Sequence, residues 1–124
     1  MDLEIRDREW SDQGVTLALR GEIDVYTAPE VRQKVLDVVA SGRCLIVVNL
    51  HDVTYLDSTG LGVLIGALRR ARELGGDMAF VSTNARVNRI LDITGLSGVF
   101  HMCTSEQRAI AMLEQGRQKD EENA

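Results

Sequence analysis

An α/β fold with a mixed β-sheet, built on an N-terminal hairpin, parallel at its centre and packed with about four helices, is predicted from three observations. Apolar residues alternate with polar ones near the N-terminus, they recur at helical spacing in four later stretches, and the run Cys44 to Leu50 is apolar nearly throughout. Strands that alternate with helices after an opening hairpin describe a sheet whose parallel centre is covered by helices.

The elements follow in order. Leu3 and Ile5 alternate with polar neighbours, and Val15, Leu17 and Leu19 do the same beyond "SDQG", so the two stretches pair as a hairpin with one buried face. Trp10 ends the first strand and packs there. From Pro29 the period becomes 3.6, with Val31, Val35, Val38 and Val39 on one stripe. Thr27 and Glu30 have the spacing of a capping box, and Gly42 stops this helix. "CLIVVNL" is rich in β-branched residues and suits a central strand covered on both faces. A further strand-like stretch, "TYL", runs into Asp57, and a long helix opens at Ser58, with Thr59 in its first position. Its apolar stripe is Leu61, Leu64, Ile65 and Leu68, which places Arg69, Arg70 and Arg72 on a solvated face. Gly75 and Gly76 end it, Met78 to Val81 forms a short strand, and a helix carrying Val87, Ile90 and Leu91 closes at Gly95. "VFHMC" is a short edge strand, and Thr104 to Gln107 repeats the capping-box spacing before Ile110, Ala111 and Leu113. Residues 1–115 make one domain, and residues 116–124 read as a polar, disordered tail.

Composition narrows the function. A chain of 124 residues, 44% hydrophobic and 27% charged, is long enough for one domain with a real core. Its net charge of -5 argues against nucleic acid, whose binders need clustered Lys and Arg to displace counterions. Cys44 and Cys103 each lie in an apolar run and read as small buried hydrophobes, and His51 and His101 have no neighbouring ligand set, so no metal is expected. The opening "MDLEIRDREW" lacks the apolar core of a signal sequence, and no run is long enough to cross a bilayer, so a cytoplasmic location away from membranes is expected.

The informative stretch is "LDSTGLGVLIGAL", where a strand gives way to a helix, the place at which α/β folds put ligands and reactive groups. Ser58 is either a capping residue and nothing more, or an exposed functional hydroxyl. Gly60, Gly62 and Gly66 each cost roughly 1 kcal/mol relative to Ala within a helix, so close approach by another backbone must compensate. That approach is either internal, by a neighbouring helix on Gly66, or external, by a partner over the first turn. Asp24 is either a turn residue bonding nearby backbone N–H groups or part of a docking face. Tyr26 either anchors a partner or folds back on the core. A hydrolase reading of Ser58 fails because L-D-S-T-G is not the G-x-S-x-G of a nucleophile elbow, and no G-x-x-x-x-G-K-[ST] loop exists to cradle nucleotide phosphates. The chain is therefore not read as an enzyme.

"LDSTGLGVLIGAL", together with "GEIDVYTAPE" and "ITGL", resembles the STAS-domain anti-sigma factor antagonists, from about the first strand to Gln115. The resemblance implies a STAS-like fold and a bacterial switch protein. Its unphosphorylated form would bind an anti-sigma factor, itself a serine kinase, and so release a sigma factor for transcription. The kinase, which binds the ATP, would switch it off by phosphorylating Ser58, and a phosphatase would reset it; the chain itself would carry no cofactor. Carried over by motif, Asp24 lies beside the phosphorylated serine. The docking face would comprise the segment Asp24 to Pro29, with Asp24, Tyr26 and Thr27 foremost, and Asp57, Ser58, Thr59, Gly60, Leu61 and Gly62 at the start of the helix. The alternative within the same superfamily is a non-switching scaffold or lipid-transport accessory domain.

Overall fold

The computed structural model describes the backbone of residues 2–122 and the side chains of residues 2–117. Its elements are β1 (Leu3–Glu9), β2 (Gly14–Ile23), α1 (Ala28–Ala40), β3 (Leu45–Leu56), α2 (Ser58–Glu73), β4 (Asp77–Val81), α3 (Ala85–Ile93), a 3-10 turn (Leu96–Gly98), β5 (His101–Cys103) and α4 (Glu106–Glu122). The five strands lie side by side in chain order. β1 and β2 are antiparallel and every later pairing is parallel, as the sequence pattern predicts.

Period-two alternation places Val15, Leu17 and Leu19 of β2 on one face, with Ile46, Val48 and Leu50 of β3 beside them. Three helices pack over that face, through Val31 and Val35 of α1, Leu64 and Leu68 of α2, and Val87 and Leu91 of α3. Phe80 and Phe100 close this layer as a stacked pair with ring centroids 4.3 Å apart. Each fully buried Leu or Val stabilises the fold by about 1.5–3 kcal/mol, so this layer dominates the folding energy. A smaller layer lies on the other face, where α4 sets Ala109 and Leu113 against Leu45, Val47, Ala79 and Val81. Trp10 packs at its margin and lies over Gly14, where any Cβ would overlap the indole ring.

The first helix ends as its glycine predicts. Gly42 has φ +93°, and the backbone amides of Gly42 and Arg43 return to Val39 O (3.0 Å) and Val38 O (3.1 Å), the pairing of a Schellman stop. Its start differs from expectation. Thr27 is the N-cap but its side chain bonds no helical N–H, so there is no capping box. The hydroxyl instead donates to Glu22 O at 2.7 Å and accepts from Asp24 N at 2.9 Å, because the tight turn before the helix offers nearer partners. At α4 the cap is Ser105, whose Oγ accepts from Arg108 N at 3.2 Å, and not Thr104.

Two lengths also differ. β3 is a single strand of twelve residues that begins at Leu45, within "CLIVVNL", and absorbs "TYL" as well. Only Leu45 to Asn49 pair with β4, and the rest pairs, as a strand, with β2 alone. The polar "HDVT" is compatible with a strand there because one edge is open. The segment expected to be a disordered tail continues α4 to Glu122. Gln, Arg, Lys and Glu are good helix formers, and they propagate a helix already nucleated by the packing of Ala109 and Leu113. The last two positions of that expected tail lie outside the described residues. Cys44 and Cys103 are free thiols, half-buried rather than buried as expected, since each stands at the end of an apolar run.

Candidate functional site

The parallel register of β2 and β3 pairs Ile23 with Leu56, so Asp24 and Asp57 leave the sheet side by side. A backbone bond from Asp57 N to Ile23 O (3.3 Å) ties the two exits together. The turn after β2 and the start of α2 therefore form one surface at the C-terminal end of the parallel strands, where α/β sheets place their sites.

Asp57, not Ser58, caps α2. Its backbone is extended (φ -106°, ψ -176°), and its Oδ1 accepts from Gly60 N at 3.0 Å. Aspartate caps as well as serine, comes first where the strand backbone ends, and carries a charge that the positive end of the helix favours. Ser58 is consequently the first helical residue and Thr59 the second, both exposed. Among the described residues neither hydroxyl has a hydrogen-bond partner, so the reading of Ser58 as a cap and nothing more is overturned.

Asp24 organises the neighbouring turn. Its Oδ1 accepts from the backbone N–H of Tyr26 (2.9 Å) and of Thr27 (3.0 Å), and its carbonyl accepts from Ala28 N (2.8 Å). The Thr27 N–H bond foremost holds the Asp24 carboxyl below its ordinary value of 3.8. The turn role of Asp24 is thus present, and the residue stays half-exposed. Tyr26, 86% exposed, does not fold back on the core.

The remaining expected docking residues divide. Gly62 is exposed and Asp57 half-buried, whereas Thr27, Gly60 and Leu61 are buried beneath the surface and shape it from below. Gly60 has an internal reason: a Cβ there would lie 2.7 Å from Ile23 Cγ2 and Leu56 Cδ1 and 3.0 Å from Ile23 O. Among the described residues Gly62 and Gly66 have none, since a Cβ at either would meet nothing within 4 Å. No neighbouring helix packs on Gly66, and the internal explanation for that glycine is removed.

Val25, within the expected docking segment, and two residues beyond it, Tyr55 and Asn84, belong to the surface or support it. Val25 and Tyr55 add exposed apolar area at the same end of the sheet. Tyr55 is legible in hindsight as the outward position between buried Val53 and Leu56. Asn84 braces the site from beneath: its Oδ1 accepts from Arg86 N (3.0 Å) and Val87 N (3.4 Å) to cap α3. Its Nδ2 donates to His51 O (3.2 Å) and Val53 O (2.6 Å). These are β3 carbonyls that β4 is too short to reach. Arg69, Arg70 and Arg72 are exposed as expected, with Arg70 and Arg72 paired to Glu73 (3.4 Å) and Asp77 (3.1 Å).

A family model described as the STAS domain matches residues 3–109. The chain is 33% identical over 104 residues to an anti-sigma-B factor antagonist of Bacillus subtilis, covering 84% of this chain and 94% of that one. It superposes with TM-score 0.81 and 27% identity on the crystal structure of a putative anti-sigma factor antagonist from Thermotoga maritima, over 89% of this chain and 94% of that one. It also shares its fold with the Bacillus cell fate determinant SpoIIAA in its phosphorylated form, at TM-score 0.69 and 20% identity, covering 88% and 98% of the two chains. With the family model spanning most of its length and a relative matched nearly end to end, this chain belongs to the STAS domain family.

Proposed function

We propose that this protein is an anti-sigma factor antagonist, which in its unphosphorylated form binds an anti-sigma factor with serine kinase activity and thereby releases a sigma factor. Phosphorylation of Ser58 by that kinase ends the interaction, and a phosphatase restores it. The observation that carries this reading is the Ser58 hydroxyl, exposed and unpartnered in the first position of α2 because Asp57 does the capping. The names of the relatives support the same reading. ATP belongs to the partner.

One phosphate has to abolish binding either by refolding the domain or by spoiling the interface, and magnitudes favour the interface. A phosphoserine adds about -1.5 to -2 charges, and at a helix start the free N–H groups and dipole stabilise an anion by roughly 0.3–1 kcal/mol. Since the Ser58 hydroxyl makes no bond among the described residues that phosphorylation would break, the fold tolerates the group. Within a docked surface the dianion faces Asp24 and Asp57 and loses water, which costs several kcal/mol, on the order of 4 for a thousandfold loss of affinity.

Incubating the protein with the host's anti-sigma kinases and ATP tests this by mass spectrometry. One phosphate on Ser58 is expected. No phosphate with any kinase would leave the non-switching scaffold as the better reading. In calorimetry against the phosphorylating kinase, Ser58→Ala keeps its affinity and Ser58→Asp loses it. Equal affinities would contradict interface disruption.

A further inference from the structure

Among the described residues, none occupies the groove between α1 and α2. It encloses about 650 Å³ and begins at Thr59, directly beside Ser58. It runs down to Arg70, eleven residues further along α2 and so about 16 Å away, or about three helical turns. Its floor is apolar: Val35 and Leu36 come from α1, Val63 and Ala67 from α2, and Leu36 is 38% exposed. Gly62 and Gly66, spaced one turn apart, leave the α2 backbone bare along this floor. Their lack of side chains serves nothing internal, yet it lets another backbone come close.

Charge states what kind of backbone. This chain carries 19 acidic residues against 14 Lys and Arg, yet the charged residues lining the groove are Arg32 at one end and Arg70 at the other. Arg70 has only an exposed pair with Glu73, and Arg32 has no ion pair among the described residues. A negatively charged occupant with an apolar stripe is complementary. A rod of about three turns fits both the length of the groove and the close approach that glycines one turn apart allow.

We infer that the α1–α2 groove receives an acidic amphipathic helix of the protein partner, laid apolar side down over Gly62 and Gly66 with its carboxylates at Arg32 and Arg70. The partner's identity as the anti-sigma kinase rests on the function proposed above; the chemistry of the groove does not. The contact would extend the docking surface from Ser58 along α2 and add affinity that phosphorylation does not itself address.

Two measurements test it. In the first, amide spectra are recorded with a helical peptide of about fifteen residues bearing a Leu stripe flanked by Glu, and with its Lys-flanked twin. The Glu peptide shifts Gly62, Val63, Gly66 and Leu36, the Lys peptide does not, and Gly66→Leu removes the effect. Equal response to both peptides, or none in the groove, overturns the inference. Saturable binding of decanoate in the same groove that excludes the peptide overturns it in favour of an amphiphilic anion, and a dimer in sedimentation that Gly66→Leu dissolves does so in favour of a second copy. In the second, each purified anti-sigma kinase is titrated with wild type, Ser58→Asp, Gly66→Leu and Arg70→Glu, all verified as folded by thermal melting. Gly66→Leu is expected to weaken binding about thirtyfold and Arg70→Glu about tenfold. Full affinity of Gly66→Leu beside a weakened Ser58→Asp sinks the groove and leaves the switch. The reverse pattern sinks the switch and leaves the groove, and no binding of wild type to any kinase refutes both for that partner.

Discussion

Three glycines in one helix should respond to the same substitution in opposite directions. Replacing Gly62 or Gly66 with Ala adds a methyl group where nothing lies within 4 Å, so no overlap is created. The helix gains about 1 kcal/mol in intrinsic propensity, partly by restricting the unfolded chain. Gly60→Ala makes the same gain but drives its Cβ to 2.7 Å from Ile23 Cγ2 and Leu56 Cδ1 and 3.0 Å from Ile23 O. The Leu56 methyl can swing away; the β-branched Ile23 and its carbonyl cannot. Overpacking of this kind costs about 1–3 kcal/mol, which leaves Gly60→Ala roughly neutral to 2 kcal/mol destabilised. For a domain of this size 1 kcal/mol moves Tm by roughly 3–6 °C, so calorimetric melting should rank Gly62→Ala and Gly66→Ala above wild type and Gly60→Ala level with or below it. A Gly62→Ala protein that melts below wild type would refute the open-space reasoning, and so would a Gly60→Ala protein that gains as much as its neighbours.

The other predictions concern the turn, the cap and the brace. Asp57→Ala should lower stability by about 1 kcal/mol by removing the α2 cap, while Ser58→Ala stays within about 0.5 kcal/mol, as denaturant titration would show; equal losses would return the cap to Ser58. Asp24 has a carboxyl pKa lowered in the folded state, so its contribution is present above its ordinary value of 3.8 and is lost as pH falls through the lowered one. The stability advantage of wild type over Asp24→Asn should thus be flat near neutral pH and shrink in acid, and a gap that widens in acid would contradict the turn geometry. Asn84→Ala should cost about 2–3 kcal/mol, through the lost α3 cap and the stranded Val53 carbonyl. Asn84→Ser should recover only the cap, roughly 1 kcal/mol of that loss, and full recovery would deny the bridge to β3.

Much of this architecture was legible in periodicity. Alternation in β1 and β2, the β-branched run of β3 and the stripes of the helices depend on local pattern, and Gly42 and Gly95 close their helices with the positive φ that favours glycine. What periodicity could not resolve was which of several adjacent polar residues caps. Asp57 and Ser58 have near-equal capping preference, and the choice falls to where the preceding strand ends, whereas at α4 the better capper, Ser105, takes the role from Thr104. Long-range relations were illegible for a different reason. The length of β3 depends on β2 lying along it, and Asn84 is informative only once β3 is seen to outrun β4. The site was visible as a motif, whereas the burial of Thr27, Gly60 and Leu61 and the exposure of Tyr55 depend on how two loops meet.

The overhang of β3 gives the molecule a cantilever. Its root, Leu45 to Asn49, pairs with a strand on each side, while its far end pairs with β2 alone, is held by Asn84 and keeps Val53 and Leu56 in the core, and Ser58 sits just past the tip. Hydrogen exchange should be slowest at the root and quicken toward Leu56, as expected where backbone bonding is one-sided. The hydroxyl proposed above as the phosphate acceptor thus stands just beyond the stretch of sheet whose backbone bonding is one-sided.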